Sequence, residues 1–180
     1  MTQVLRAFAL LLLLSGMPVQ AADVQRLLDQ LSDAENASVS ARLQADIWDG
    51  WINGHANDDE RMLMSMGLTE IEVRNLKAAE QTFTELIEMN PDFVEAWNKR
   101  ATIRYMVGDL DGSELDVFEV LSREPRHFGA ISGLGLIKMQ RGNLAGALRT
   151  YESLLEVHPF SNDAITLVPK IRKRLGILDI

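Results

Sequence analysis

The 180-residue chain contains no cysteine. That removes disulfides, thiolate metal sites, c-type haem attachment and a lipoprotein cysteine together. Its three histidines, His55, His127 and His158, are scattered, and no two share a helix face at metal-ligand spacing. Basic residues are short: 18 Lys and Arg stand against 26 Asp and Glu, a formal charge of −8, which disfavours nucleic acid and anionic membrane surfaces as partners. The longest apolar run, Ala7 to Leu14, is well short of the roughly 20 residues that span a bilayer. No serine or cysteine nucleophile arrangement is visible, and Gly129, Gly133 and Gly135 follow no strand, so they suit close helix packing better than phosphate binding. At 47% hydrophobic and 24% charged residues the composition is globular. One folded domain is expected, with no catalytic residues, no metal site and no cofactor.

Residues 1–22, MTQVLRAFALLLLLSGMPVQAA, read as a secretory signal peptide: Arg6 supplies charge, the apolar run follows, and Pro18 precedes a small-residue ending. Cleavage falls after Ala21 or after Ala22. The expected mature protein lies in the periplasm or another exported location, with no stable membrane insertion.

The remainder is organised by a repeat. Pro91, Pro125 and Pro159 stand 34 residues apart, as do Gly108 and Gly142, and Leu76, Leu110 and Leu144. Aligned on that period, the first unit carries Leu63, Met66-Gly67, Glu70, Ala79, Phe83 and Pro91. The second carries Trp97, Arg100-Ala101, Arg104, Ser113, Val117 and Pro125, with Tyr105 one place beyond the usual aromatic. The third carries Ile131, Leu134-Gly135, Lys138, Ala147, Tyr151 and Pro159. This pattern resembles the tetratricopeptide repeat (TPR) family, in which each unit is a helix-turn-helix that must stack on its neighbours to bury an apolar face. More closely, Glu95 to Thr102 and Glu124 to Ala130 resemble a largely uncharacterised exported bacterial subgroup. The resemblance implies an all-α, right-handed α-solenoid with three repeats, at about 60–93, 94–127 and 128–161 within a domain of 58–160.

Two flanks complete the expected architecture. Before the repeats, residues 23–57 hold two helices, Asp23 to about Asn36 and Val39 to about Ile52, read as a degenerate capping pair. Leu43, Ile47, Trp48, Trp51 and Ile52 crowd one side of the second helix; its two tryptophans serve a core or, alternatively, a partner surface. The linker Asn53 to Asp59 then ends in Asp58 or Asp59 as the next helix cap. After Pro159, residues 161–180 form a C-terminal capping helix in which Pro169 makes a kink or starts a second short helix. Lys170, Arg172, Lys173 and Arg174 mark a solvated helix end.

The resemblance also implies where a partner binds, on the concave face lined by the first helix of each repeat. In this register the partner-binding residues are Met64, Leu68, Ile71, Asn98, Tyr105, Met106, Leu136 and Met139, a methionine-rich strip that adapts to apolar partners. Either a partner covers it or the chain's own termini fold back into it. The family's carboxylate clamp would fall on Met64, Leu68, Lys99, Gly129 and Gly133, only one of which is basic, so a chaperone-tail adaptor is not expected. Arg126 stands where the preceding repeat has Asp92, a cation where a helix cap is wanted, and with His127 it forms a candidate anion anchor. The alternative is that Arg126 pairs with Glu124 or Glu95. Arg100, in an inward slot, requires an acid, Asp116 or Glu119. The expected function is a non-catalytic scaffold that binds a protein or peptide in the groove, with neither nucleic acid nor a small-molecule substrate. The alternative is a structural subunit or assembly factor that self-associates through the solenoid ends.

Overall fold

The computed structural model describes residues 21–54 and 56–177; the bulk of the expected leader, residues 1–20, lies outside them. Nine helices occupy the described residues: α1 Ala21–Ser32, α2 Ala37–Asn53, α3 Asp58–Glu72, α4 Leu76–Met89, α5 Val94–Val107, α6 Leu110–Arg123, α7 Phe128–Gln140, α8 Leu144–Val157 and α9 Asn162–Leu175. The hairpins α3–α4, α5–α6 and α7–α8 are the three repeats. Each crosses where the small-residue slot meets the large one. A Cβ placed on Gly67 or on Gly135 would come within 2.6 Å of the Phe83 or Tyr151 ring. In the second unit Ala101 shares its core with the smaller Val117, so the two slots trade volume and helix spacing is kept.

The turns follow the same economy. Gly108 and Gly142 end α5 and reverse the chain after α7 in the left-handed region, at φ 87° and 74°, which glycine enters without steric cost. The first unit has Arg74 at that place, the one described non-glycine residue with positive φ, at 61°. Caps differ from the expected ones. Asn57 begins α3 in a capping box with Glu60, so Asp58 is already helical and neither Asp58 nor Asp59 caps it. Asp92 does not cap α5; its side chain is solvent-exposed. The N-cap of α7 is His127, whose Nδ1 accepts from the Ala130 N–H at 3.1 Å. The position that needs a polar acceptor is therefore one residue later than Arg126.

Arg100 donates twice to Asp116, at 2.9 and 2.8 Å, and Arg104 reaches the same carboxylate at 3.0 Å and Glu80 at 2.9 Å. The pair is buried, and the two guanidiniums tie α4, α5 and α6 together. α9 continues unbroken through Pro169, whose ring faces solvent. Its buried residues Ala164, Val168 and Ile171 lie 34 beyond Ala130, Leu134 and Ile137, so α9 takes the place of the first helix of a fourth unit.

The α1–α2 hairpin does not stack on the open side of α3. Val24, Leu27, Leu28, Leu31, Leu43 and Ile47 share one core with Phe128, Ile131, Tyr151 and Leu154 of the third repeat and with α9. The pair folds back across the solenoid.

Candidate functional site: a concave groove crossed by its own helix

α2 runs through the N-terminal half of the groove, from the last unit to the first. Ser40 meets His158 at the α8–α9 joint, with Oγ 2.9 Å from Nε2. Trp48 lies against Gly129, where an added Cβ would approach its ring to 2.7 Å, and its ring takes the Lys99 ammonium 5.0 Å from the centroid. Ile52 and Asn53 line a cleft of about 340 Å³ with Met64, Ser65 and Leu68. Trp48 and Trp51 meet edge-on at 5.2 Å, and Trp51 stacks on His127 at 3.9 Å and 13°. The missing side chain at Gly129 is what admits Trp48.

Beneath the tryptophans lies a buried polar cluster. Glu95 is fully buried and receives Asn98 Nδ2 at 3.0 Å, Lys99 Nζ at 2.7 Å and His127 Nε2 at 3.1 Å. Because His127 Nδ1 accepts the Ala130 N–H, the ring proton sits on Nε2 and is donated to Glu95. Burial pushes the Glu95 carboxyl up, but Lys99 and His127 outweigh it and hold it below the usual carboxylate range. α1 is fastened outside the groove, over the turns: Gln25 donates to Glu124 at 2.5 Å, and Arg126 donates to Asp29 at 2.5 Å and to Gln25 Oε1 at 2.7 Å.

The expected anion anchor is therefore not open to a ligand in this structure. His127 is buried and bonded on both nitrogens, and the acid that the Arg126 guanidinium meets is Asp29 of α1, while Glu124 accepts only the Arg126 backbone N–H, at 3.1 Å. Of the eight expected partner-binding residues, Met64 is buried in the first repeat's core and Asn98 is held by Glu95. The other six, Leu68, Ile71, Tyr105, Met106, Leu136 and Met139, are half-buried or exposed. They run along the C-terminal half of α3, α5 and α7, beside α2. A second cleft of about 350 Å³ lies between α1, the end of α2 and the turns, bounded by Val24, Trp51, Phe93, Arg123 and Glu124. Among the described residues no cluster of His, Asp or Glu is arranged to hold a metal, and no helix is long and apolar enough to cross a membrane.

Comparison with known proteins agrees with this geometry. The tetratricopeptide repeat model matches residues 64–126. A TPR repeat-containing protein of Rhizobium etli is 31% identical over 162 residues, 90% of this chain and 78% of that protein. The chain belongs to the TPR family. Among solved structures, this TPR chain is similar to the first TPR of Spaghetti (RPAP3) bound to HSP90 peptide SRMEEVD, with TM-score 0.63, 20% identity and coverage of 68% of this chain and 98% of that one. It is also similar to the MamA protein, with TM-score 0.61, 13% identity and coverage of 87% and 85%. At those identities the likeness concerns the all-α TPR solenoid itself. Sequence reasoning missed Ser40, Gln25 and Asp29 as groove and turn contacts. Gly129, a groove position left without a side chain, was a signal for Trp48 but not for these three.

Proposed function

We propose that this TPR protein is a non-catalytic, exported scaffold that binds an apolar protein segment along the open strip of its groove. The TPR fold generally serves as a non-enzymatic protein-interaction module. The carrying observation is that the groove already holds a helix: α2, amphipathic and aromatic, fills its N-terminal half, while beside it Leu68, Ile71, Tyr105, Leu136 and Met139 are only half-buried and Met106 is exposed. A surface that accepts one helix accepts an apolar segment alongside it, as in other helix-in-groove recognition, and the methionines supply adaptability.

The bound peptide named for the Spaghetti TPR ends in acid. Recognition of that kind does not transfer to this chain, because Lys99 is committed to Glu95 and Trp48, and Gly129 lies under Trp48. An apolar, non-terminal segment suits the strip better. An exported location is supported by the leader-like residues 1–22. A photo-crosslinking residue at Tyr105, in the strip, and another at Phe118, exposed on the convex side, test the reading in intact cells. A partner trapped from position 105 and not from 118 is expected. Equal trapping from both, or trapping from 118 alone, overturns the groove assignment.

A further inference from the structure

Four acidic residues are buried among the described residues: Glu60, Glu95, Asp116 and Glu124. Two of them have cations. Glu95 is met by Lys99, and Asp116 by Arg100 and Arg104. The other two, Glu60 at 5% and Glu124 at 7% exposure, both border the cleft between α1, the end of α2 and the turns.

Among the described residues neither Glu60 nor Glu124 meets a countercharge, and their oxygens take neutral donors. Glu60 accepts the Asn57 N–H and Asn90 Nδ2, each at 2.8 Å; Glu124 accepts Gln25 Nε2 at 2.5 Å and the Arg126 N–H at 3.1 Å. Such bonds orient a buried carboxylate without supplying the opposite charge that burial demands. Arg123 also borders the cleft, yet its guanidinium lies 2.6 Å from Glu119, 3.8 Å from Asp92 and over the Trp97 ring. The repeat calls for no acid at either place. In the 34-residue register Glu60 stands where later units have Val94 and Phe128, and Glu124 where the other units have Asn90 and His158. Positions that break a local rule are where function is expected.

Val24, Trp51 and Phe93 add apolar and aromatic wall to the cleft, and Gly50, inside α2 where glycine is disfavoured, leaves one side of it without a side chain. Stacking on His127 fixes the Trp51 ring. At about 350 Å³ the cleft has the size of a small-ligand site. Aromatic rings attract cations, and carboxylates hold them by charge-assisted hydrogen bonds.

We propose that this cleft binds an organic cation, an ammonium or guanidinium on a short apolar stem, with its charge at Glu60 and Glu124 and its stem along Trp51 and Phe93. The site is separate from the groove strip and does not rest on the groove reading.

The test is isothermal titration calorimetry on the full chain as its expressing cell processes it, with n-pentylamine, N-acetyl-lysine methylamide and neutral pentanol. Saturable binding of at least one amine at millimolar concentration, and none of pentanol, is expected. Tighter binding of the lysine amide assigns the site to a partner's lysine side chain; tighter binding of pentylamine assigns it to a free amine. Glu60→Gln and Glu124→Gln remove charge at nearly constant shape, and each is expected to weaken binding on the order of 10- to 100-fold with helicity kept. Gly50→Leu fills the cleft and leaves both carboxylates in place; it is expected to abolish binding, and it keeps the test decisive should a charge variant fail to fold. No saturable binding of either amine, equal binding of pentanol, or unchanged affinity in both glutamine variants overturns the proposal.

Discussion

Trp48→Ala should undock α2 from the groove without unfolding the repeats. Trp48 is half-buried, so roughly 100 Å² of ring is removed from the interface, and at about 25 cal/mol per Å² that is worth about 2.5 kcal/mol. Its edge-on contacts with Trp51 and Phe128, at 5.2 and 5.1 Å, and its Lys99 contact add about 1 kcal/mol. A loss of about 3.5 kcal/mol lowers the protection of α2 amides in native-state hydrogen exchange on the order of 300-fold. α4 and α6 bury their own apolar faces against α3 and α5, so their amides should change far less, whereas α8, whose Tyr151 and Leu154 share a core with α1–α2, should lose some protection. Unchanged protection in α2 would refute the reasoning, because the ring would then not be what holds the helix. Equal loss across α5 to α8 would refute it as well, because α2 would then be part of one cooperative core rather than a separable occupant.

Removing the acid beneath the two guanidiniums should cost far more than removing one of them. Asp116→Ala leaves Arg100 and Arg104 without their shared carboxylate and is expected to cost about 3–5 kcal/mol in urea unfolding, whereas Arg100→Leu reproduces the Leu134 side chain one repeat on and should cost less than about 2 kcal/mol; the reverse order would sink the account of that network. Arg74→Gly should stabilise the chain by about 1 kcal/mol, because it relieves a left-handed conformation that glycine holds at Gly108 and Gly142; a lower midpoint in thermal unfolding would contradict it. Burial holds the His158 imidazole below its ordinary value, with Asp163 opposing. The fold therefore favours neutral His158, and its contribution is complete above the ordinary value of about 6.5 and is lost as pH falls below it. The Glu95 carboxyl, also held low, loses its contribution only further down, below about 4.5. His158→Gln should flatten the upper part of the pH–stability curve and leave the lower part; an unchanged slope would show that His158 is not the titrating group.

The repeats were legible because their constraints are local and recur. A small residue opposite a large one, a glycine at the turn and a proline at the joint each answer to packing within about 34 residues of chain, and the same answer appears three times. Arg100 could be matched to Asp116 for the same reason: an inward cation demands an acid on the facing helix, and the register says which helix faces it. The placement of α1–α2 was not legible, since nothing in an amphipathic stripe says which of several apolar surfaces it will cover. Ala45 stands 34 residues before Ala79, which is buried in α4, yet Ala45 is exposed. Arg126 and His127 looked like a breach of capping rules because the cap was assigned one residue early. His127 turns its Nδ1 to the helix and its Nε2 to Glu95, and Arg126 is left to meet α1.

The central claim is that the open strip beside α2 is the partner surface. It is tested most directly by a crosslinking pull-down from envelope extract with the parent chain and with a Tyr105→Ala, Met139→Asp double variant of unchanged helicity. The account predicts a specific protein captured by the parent and lost by the variant. Capture of the same protein by both would contradict it.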